Sequence, residues 1–172
     1  MNALTQLRAL YDYNAWANGR VLDAAAKVSD EDLARDLGAS FGSVQGNLRH
    51  VLSAQNTWVA RWTLSAPEPD PDLSSGGAID TLRRAYEASH GAVQRYLSNL
   101  SEEDLSGDLR YTDTRGVAQH PILWTVLLHV ANHGTHHRAE SAMLLTSLGS
   151  APRQLDYMFF EIERAGGAPR LT

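Results

Sequence analysis

The sequence predicts an all-α protein, a bundle of four long helices with a short additional helix at its C-terminal end. Apolar residues recur at helical spacing over four segments of more than twenty residues. Segments rich in Gly, Pro and acidic residues separate them, as expected of connections. With 172 residues and 43% hydrophobic residues, the chain is long enough for one domain, residues 1–172, around a single core.

The first two long helices are predicted at residues 3–27 and 43–65. The first carries one apolar stripe that also contains Asn14 and Asn18. Two interpretations of these asparagines remain open: a buried hydrogen-bonded pair, or a polar lining to a cavity. Ser29 resembles a short helix cap between the two helices.

The third long helix is predicted at residues 78–100, after an acidic, Pro- and Gly-rich connection. Residues 107–120 alternate Tyr and Thr with polar residues, which fits either a small hairpin or an extended crossover. The fourth helix is expected to begin at Pro121 and to end before Gly149. Pro152 should then open the short fifth helix, with an apolar edge formed by Leu155, Met158, Phe159 and Ile162.

Composition excludes several classes of function. The net charge of −5 argues against nucleic acid as a partner, because phosphate binding requires a basic face. No apolar run approaches the ~20 residues of a membrane span, and no signal peptide precedes the first helix, so a cytoplasmic location is expected. The chain has no cysteine. Any thiol in the chemistry must therefore come with a substrate.

Four of the seven histidines lie within nine positions of the fourth helix: His129, His133, His136 and His137. On a helical wheel they fall, with Glu140, on the stripe that should face the core. His133 and His137 stand one turn apart, the spacing with which two imidazoles of one helix bind one metal ion. A buried hydrogen-bonded histidine network is the alternative interpretation.

A metal site needs a third ligand from another helix, and three histidines remain. His50 is the best candidate, because it lies in the middle of the second helix beside its apolar stripe. His90 follows a polar run and is expected to be exposed, and His120 precedes Pro121 at a helix start, where an exposed or capping role is expected. Three neutral histidines describe a site with an open coordination position, typical of catalytic zinc, although nickel, iron(II) or manganese also suit it. His129, His136 and Glu140 would then support the ligands or handle protons.

Three segments carry a resemblance to a known family: "YDYNAWANGRVLDAA", "DLGASFGSVQGNLRHVLSAQNTW" and "LLHVANHGTHHRAE". Together they resemble the DinB/YfiT-like family (damage-inducible DinB proteins), whose members are regarded as metalloenzymes. The resemblance implies an up-down-down-up four-helix bundle, often a homodimer, with metal ligands at His50, His133 and His137. The chain departs from the family pattern at Ala139-Glu140, where Gly-Gln is usual, and at Gln55, where an acidic residue is common.

Characterised relatives include transferases that use low-molecular-weight thiols such as bacillithiol, and a mycothiol-dependent isomerase. By that resemblance the chain is expected to be a metal-dependent thiol S-transferase acting on a small-molecule substrate, with one divalent metal ion per chain, zinc or nickel. Two alternatives are a metal-dependent hydrolase with Glu140 as general base and a non-catalytic metal-binding stress-response bundle. Candidate pocket residues are Asn14, Asn18, Trp58 and Arg138.

Overall fold

The computed structural model of the chain describes residues 2–74 and 76–167 and confirms a helical bundle. The four long helices are α1 (Ala3–Ala25), α3 (Val44–Thr63), α4 (Ala78–Ser98) and α5 (Leu123–Ser147). The remaining elements are the short helices α2 (Asp30–Ala34) and α6 (Tyr157–Arg164), a 3₁₀ turn (Asp104–Ser106), and the paired strands β1 (Tyr111–Thr112) and β2 (Ala118–Gln119). Among the described helices, none is long and apolar enough to cross a membrane.

The direction of the helices follows from two buried clusters at opposite ends of the bundle. In one cluster, Leu7 near the start of α1 packs with Trp62, Leu97 and Leu127. In the other, the end of α1 packs with the first turns of α3 and α4 and the last turns of α5. Helices α1 and α5 therefore run one way, and α3 and α4 run the other. The up-down-down-up bundle with a short additional C-terminal helix is confirmed.

The parallel neighbours α3 and α4 explain the long connection between them. A 20-residue helix is about 30 Å long, and a chain that leaves the end of α3 must travel that distance to begin α4 beside it. The acidic, Pro-rich segment after α3 covers this distance, as its composition predicts. By contrast, the segment before α5 pairs Tyr111 with Gln119 in an antiparallel hairpin, the first of its two sequence interpretations.

Two predicted helix starts were wrong. The fourth long helix, α5, begins after Ile122 rather than at Pro121, whose carbonyl instead accepts a hydrogen bond from Leu109 N at 2.8 Å. Helix α6 begins after Asp156 rather than at Pro152. Its buried residue is Phe160, whereas Met158, on the predicted apolar edge, is 65% exposed. The end of α5 is as expected, since Gly149 adopts a positive φ of 78°.

The start of α3 is fixed by a side-chain cap. Ser43 accepts a hydrogen bond from Gly46 N at 3.0 Å, which satisfies a backbone N–H that the first turn of a helix leaves without a partner. Gly42, just before the cap, has a φ of 74° and turns the chain from the preceding loop into the helix. This turn sets the position of His50, two helical turns further along α3.

Candidate metal centre

Three histidines from two antiparallel helices converge at one point of the bundle. His50 comes from α3, and His133 and His137 come from consecutive turns of α5. One ring nitrogen of each lies within 4.8 Å of one nitrogen of both others, and Nε2 of His50 lies 3.2 Å from Nε2 of His133. These are the three residues that the sequence singled out, and the structure brings them together.

The donor set fits a divalent cation. Two nitrogens bound tetrahedrally to zinc at 2.0–2.1 Å stand about 3.3 Å apart, close to the observed separation of the two Nε2 atoms. No fourth His, Cys, Asp or Glu of residues 2–74 and 76–167 joins the group. Three imidazoles without a fourth protein ligand describe a site with an open position.

Two of the three imidazoles, those of His133 and His50, are kept neutral at pH 7. Burial, together with the neighbouring rings of His137 and His50, lowers the pKa of His133 from 6.5 to about 4. Burial and His137 also lower the pKa of His50. A neutral imidazole offers its lone pair to a metal ion, whereas a protonated one does not. The site is therefore ready for a cation at neutral pH.

We expect the free energy of unfolding of the metal-free protein to decrease as the pH falls from 6.5 towards 4. In that range His133 takes up a proton in the unfolded chain, at its ordinary pKa of 6.5, but in the folded chain only near pH 4. The unfolded state then binds more protons, so stability rises with pH. Urea unfolding of chelator-treated protein at pH 5 and pH 7 measures this. Equal pH dependence in wild type and His133→Ala would contradict the assignment to His133.

Glu140 supports His137 from outside the ligand group. One carboxylate oxygen of Glu140 accepts a hydrogen bond from Ser40 N at 2.7 Å, and the other lies 3.5 Å from Nδ1 of His137. The Ser40 N–H is the main reason that the pKa of Glu140 is lowered; Asn47 and His137 lower it further, against the effect of burial. Because Nδ1 of His137 faces a carboxylate, Nε2 is the nitrogen that this ring offers to a metal ion.

A loop that the sequence analysis did not connect to the site covers His50. The ring of Phe41 stacks on the ring of His50, with 3.6 Å between ring centroids and an interplanar angle of 15°. It also makes an edge-to-face contact with the ring of His137, with 5.4 Å between centroids. Asn47, fully buried one turn before His50, was also missed. The sequence does contain an indication that Asn47 lies near the site, because Asn47 and His50 are three residues apart and therefore share a helix face.

We expect Gly46→Ala to displace this loop. A Cβ at position 46 would lie 2.0 Å from the carbonyl oxygen of Phe41, a backbone atom that cannot rotate away. The loop must shift, and Phe41 then leaves the face of His50. Overpacking of this kind costs about 1–3 kcal/mol. Thermal unfolding measures the loss. The control is Gly19→Ala, where a Cβ meets nothing within 4 Å; equal stability of the two variants would contradict the expectation.

The prediction that all four α5 histidines face the core was wrong. His129 and His136 are exposed, and His133 is only half-buried. At 100° per residue, the buried face of α5 is centred about 90° from His133, on residues such as Gly134 and Ser141. The triad therefore sits at the edge of the core. The ring centroid of His129 lies 5.7 Å from that of Trp58, and the ring centroid of His136 lies 4.9 Å from that of His137.

Behind the triad, a buried cation is held by amides. Arg138 is 3% exposed and donates to Oδ1 of Asn14 at 2.6 Å, to Oγ1 of Thr135 at 2.9 Å and to Oδ1 of Asn18 at 3.2 Å. A small internal space touches these asparagines, Arg138 and His133. The two interpretations of the α1 asparagines both apply, because Asn14 and Asn18 are hydrogen-bonded and also line a cavity. Trp58 lies apart from them, beside His129 and Arg61.

Two of the remaining histidines differ in exposure. His120 is exposed, as predicted. His90 is half-buried, and the neighbouring Ser89 is buried because its hydroxyl accepts a hydrogen bond from Nε2 of Gln55 at 2.8 Å. The expectation that His90 is exposed was therefore wrong. A polar run in a sequence does not show that one of its residues is buried against a polar side chain of a neighbouring helix, as Ser89 is against Gln55.

Comparison with known proteins identifies the family of the chain. The family model described as the DinB family matches residues 1–168. Protein DinB of Bacillus subtilis (strain 168) is 24% identical to this chain over 156 residues, which cover 86% of the chain and 89% of that relative. With a family match over nearly the whole sequence and a histidine triad on antiparallel helices, the chain belongs to the DinB family.

Proposed function

We propose that the protein is a metal-dependent enzyme that binds one divalent cation, zinc or nickel, and transfers a low-molecular-weight thiol to an electrophilic small molecule. One observation carries the proposal: three histidine nitrogens converge without a fourth protein ligand among the described residues. The absence of cysteine from the chain supports a borrowed sulfur nucleophile. A bound divalent cation would lower the pKa of a coordinated thiol, so that the thiolate is present at neutral pH.

The protein's own residues hold and shield the site. Glu140 orients the ring of His137 through Nδ1, and Ser40 N fixes Glu140 in turn. Phe41 covers one face of His50 and keeps water from it. His133, His129 and His136 leave the other side towards solvent, where a small substrate would enter. This arrangement supports the ligands on the core side and leaves the approach from solvent open.

Glu140 is better suited to position His137 than to act as the general base of a hydrolase. One of its carboxylate oxygens accepts a hydrogen bond from Ser40 N, and the other is buried 3.5 Å from His137 Nδ1, where it faces the ring without a close hydrogen bond. We expect Glu140→Gln to weaken metal binding by about 10–100-fold, as loss of a group that supports a ligand does. Competition with a chromophoric chelator measures the affinity. A Glu140→Gln protein with unchanged metal affinity but abolished hydrolytic activity would favour the hydrolase instead.

The third candidate, a purely structural metal site, predicts a closed coordination shell. The described residues supply only three ligands to the group, which favours an open, exchangeable position. A site that stabilises the fold but binds no exogenous ligand would nevertheless be structural. The test of the proposal must therefore measure a ligand at the metal ion and not stability alone.

The experiment is a titration of the cobalt-substituted protein with thiols. Cobalt(II) reports a coordinated thiolate by a new sulfur-to-metal absorption band. We expect this band with 2-mercaptoethanol and with cysteine, its absence with ethanolamine, and its loss in His133→Ala. Absence of the band with every thiol tested, in protein that does hold cobalt, would overturn the thiol proposal and leave the hydrolase or structural site.

The proposal includes a cytoplasmic homodimer. Low-molecular-weight thiols are kept reduced in the cytoplasm, which suits an enzyme that uses them. Exposed apolar side chains such as Met143 (66% exposed) and Met158 (65%) lie near the junction of α5 and α6 and support an interface there. Sedimentation velocity of the wild type at micromolar concentration tests the dimer; a single monomeric species would contradict it.

A further inference from the structure

A cleft between α1 and α4 is separated from the histidine triad by Asn14, Asn18 and Gln55, which also line the small space beside His133. The volume of the cleft is about 190 Å³, and none of the three candidate ligands lines it. Helix α1 contributes one wall, α4 the opposite wall, and α3 reaches the floor. The polar residues that matter for its chemistry are Asn14, Asn18, Gln55, Glu87 and His90.

The buried guanidinium of Arg138 sets the orientation of the two amide groups on the inner wall of the cleft. An arginine offers only donors, so Asn14 and Asn18 must turn their amide oxygens towards it, at 2.6 and 3.2 Å. Their NH₂ groups consequently point away from Arg138. That of Asn14 donates to Ala131 O at 3.3 Å. Asn18 is 7% exposed, and its NH₂ group has no hydrogen-bond partner within residues 2–74 and 76–167, so it presents two N–H donors to the cleft.

The outer part of the cleft offers acceptors instead. Gln55 uses its Nε2 for Ser89 Oγ, which leaves its Oε1 available to a ligand. The carboxylate of Glu87 stands at the exposed rim. Arg83 lies at the same rim, but Asp23 holds its guanidinium at 2.9 Å. Burial lowers the pKa of His90, which leaves the ring neutral at pH 7.

Charge therefore differs between the two ends. Within the described residues, no carboxylate lies within 4 Å of the Arg138 guanidinium, so its positive charge is uncompensated and acts on the inner end through the two amides. At the outer end, Glu87 supplies a negative charge. A ligand that matches both ends carries its anionic group inside and its cationic group at the rim.

We propose that this cleft binds a small zwitterion, a free α-amino acid, with its carboxylate on the Asn18 amide and its ammonium group between Glu87 and Gln55 Oε1. The volume of about 190 Å³ lies below the range of roughly 300–1,000 Å³ typical of pockets for drug-sized ligands, which favours a ligand as small as an amino acid with a short side chain. Gly19 keeps the entrance open, because a Cβ at this position would meet nothing within 4 Å. The cleft shares Asn14, Asn18 and Gln55 with the small space beside His133, but none of its lining residues is a proposed metal ligand.

The test is calorimetric titration of the zinc-loaded protein with L-serine, serinol and glycerate. Serinol lacks the carboxylate and glycerate lacks the ammonium group. We expect saturable binding of L-serine with a Kd on the order of 1 mM, about −4 kcal/mol, and at least tenfold weaker binding of both analogues. Equal binding of either analogue would overturn the zwitterion assignment, and no binding of L-serine would overturn the site.

Variants locate the ligand. Gly19→Leu fills the cleft from α1 and Glu87→Gln removes the ammonium partner; each should weaken L-serine binding at least tenfold. Leucine is a better helix former than glycine, so Gly19→Leu does not endanger folding. Gly91→Leu is the matched control, since Gly91 lies on α4 and does not line the cleft. Binding that Gly19→Leu leaves intact places the amino acid elsewhere, for example on the metal ion, and overturns the proposal.

Discussion

Replacing either α5 ligand, as His133→Ala or His137→Ala, is expected to abolish stoichiometric metal binding. Each removes one of three nitrogens that lie within 4.8 Å of one another, and two imidazoles hold a cation poorly. The loss should exceed the roughly 10–100-fold that removal of a supporting group costs. Elemental analysis after dialysis should give about one metal ion per chain in the wild type and none in these variants.

The chain supplies matched controls in His129→Ala and His136→Ala. Both residues are on α5, one turn or less from a proposed ligand, yet both are exposed and neither belongs to the converging group. They should retain the metal ion. A second readout is thermal unfolding: a ligand at 1,000 times its Kd stabilises by about 4 kcal/mol, which raises the Tm of a domain of this size by about 10 °C. Metal loss in all four variants alike would contradict a specific triad.

The histidine pattern could be predicted because i, i+4 spacing on a helix is a purely local property. His133 and His137 share a face whatever the rest of the protein does. Exposure was harder to predict. On a helical wheel Ile122 and Leu144 lie within about 20° of His133, which favours this direction for the core. Ile122, however, precedes α5 and is 49% exposed, and the true centre of the buried face lies about a quarter turn away. A helix that borders a site has a mixed face, and its apolar residues alone do not define the direction of the core.

Contacts between distant segments account for what the sequence did not reveal. Ser40 and Glu140 are 100 residues apart, and nothing in either segment indicates that one hydrogen-bonds the other. Phe41 looked like an ordinary loop residue, yet it stacks on His50. The parallel course of α3 and α4, however, could be anticipated from the length of their connection. The length of a connection limits which helices can be parallel neighbours, whereas the position of a loop depends on the surface that the packed helices form.

The second large effect is expected in the buried network of Arg138. We expect Asn14→Leu to lower the free energy of unfolding by about 3 kcal/mol, because a hydrogen bond to a charged group contributes about 1.5–3 kcal/mol and its loss leaves a buried charge without an acceptor. Asn14 Oδ1 is the nearest acceptor of Arg138, at 2.6 Å. For 172 residues this corresponds to a fall in Tm of about 10 °C.

Asn47→Leu is the matched control for this prediction. Asn47 is fully buried like Asn14, but its amide has no hydrogen-bond partner in the described residues. The same substitution there removes no hydrogen bond to a buried cation and only the weaker interaction of Asn47 with the carboxylate of Glu140, so the loss should be clearly smaller, about 1 kcal/mol. Urea unfolding of both variants, without metal, isolates the network from the metal site. Equal losses would show that packing, rather than the charge of Arg138, decides the cost.

A third substitution, Asn14→Asp, tests what a negatively charged hydrogen-bond acceptor contributes to the stability of the buried Arg138. Asn14→Asp retains an oxygen that accepts a hydrogen bond from Arg138, and it adds a carboxylate to the contacts of the guanidinium. The substitution removes the hydrogen bond from Asn14 Nδ2 to Ala131 O, which is long at 3.3 Å. We expect Asn14→Asp to be clearly more stable than Asn14→Leu at pH 7, and to lose this advantage as the pH falls below the pKa of the new carboxyl. The pKa of a carboxyl paired with a guanidinium is lowered in the folded state, so its contribution is present above the unfolded pKa and disappears in acid. Asn14→Asp and Asn14→Leu proteins of equal stability at pH 7 would mean that the buried guanidinium does not require an anionic or amide acceptor, and that the asparagines serve the cleft alone.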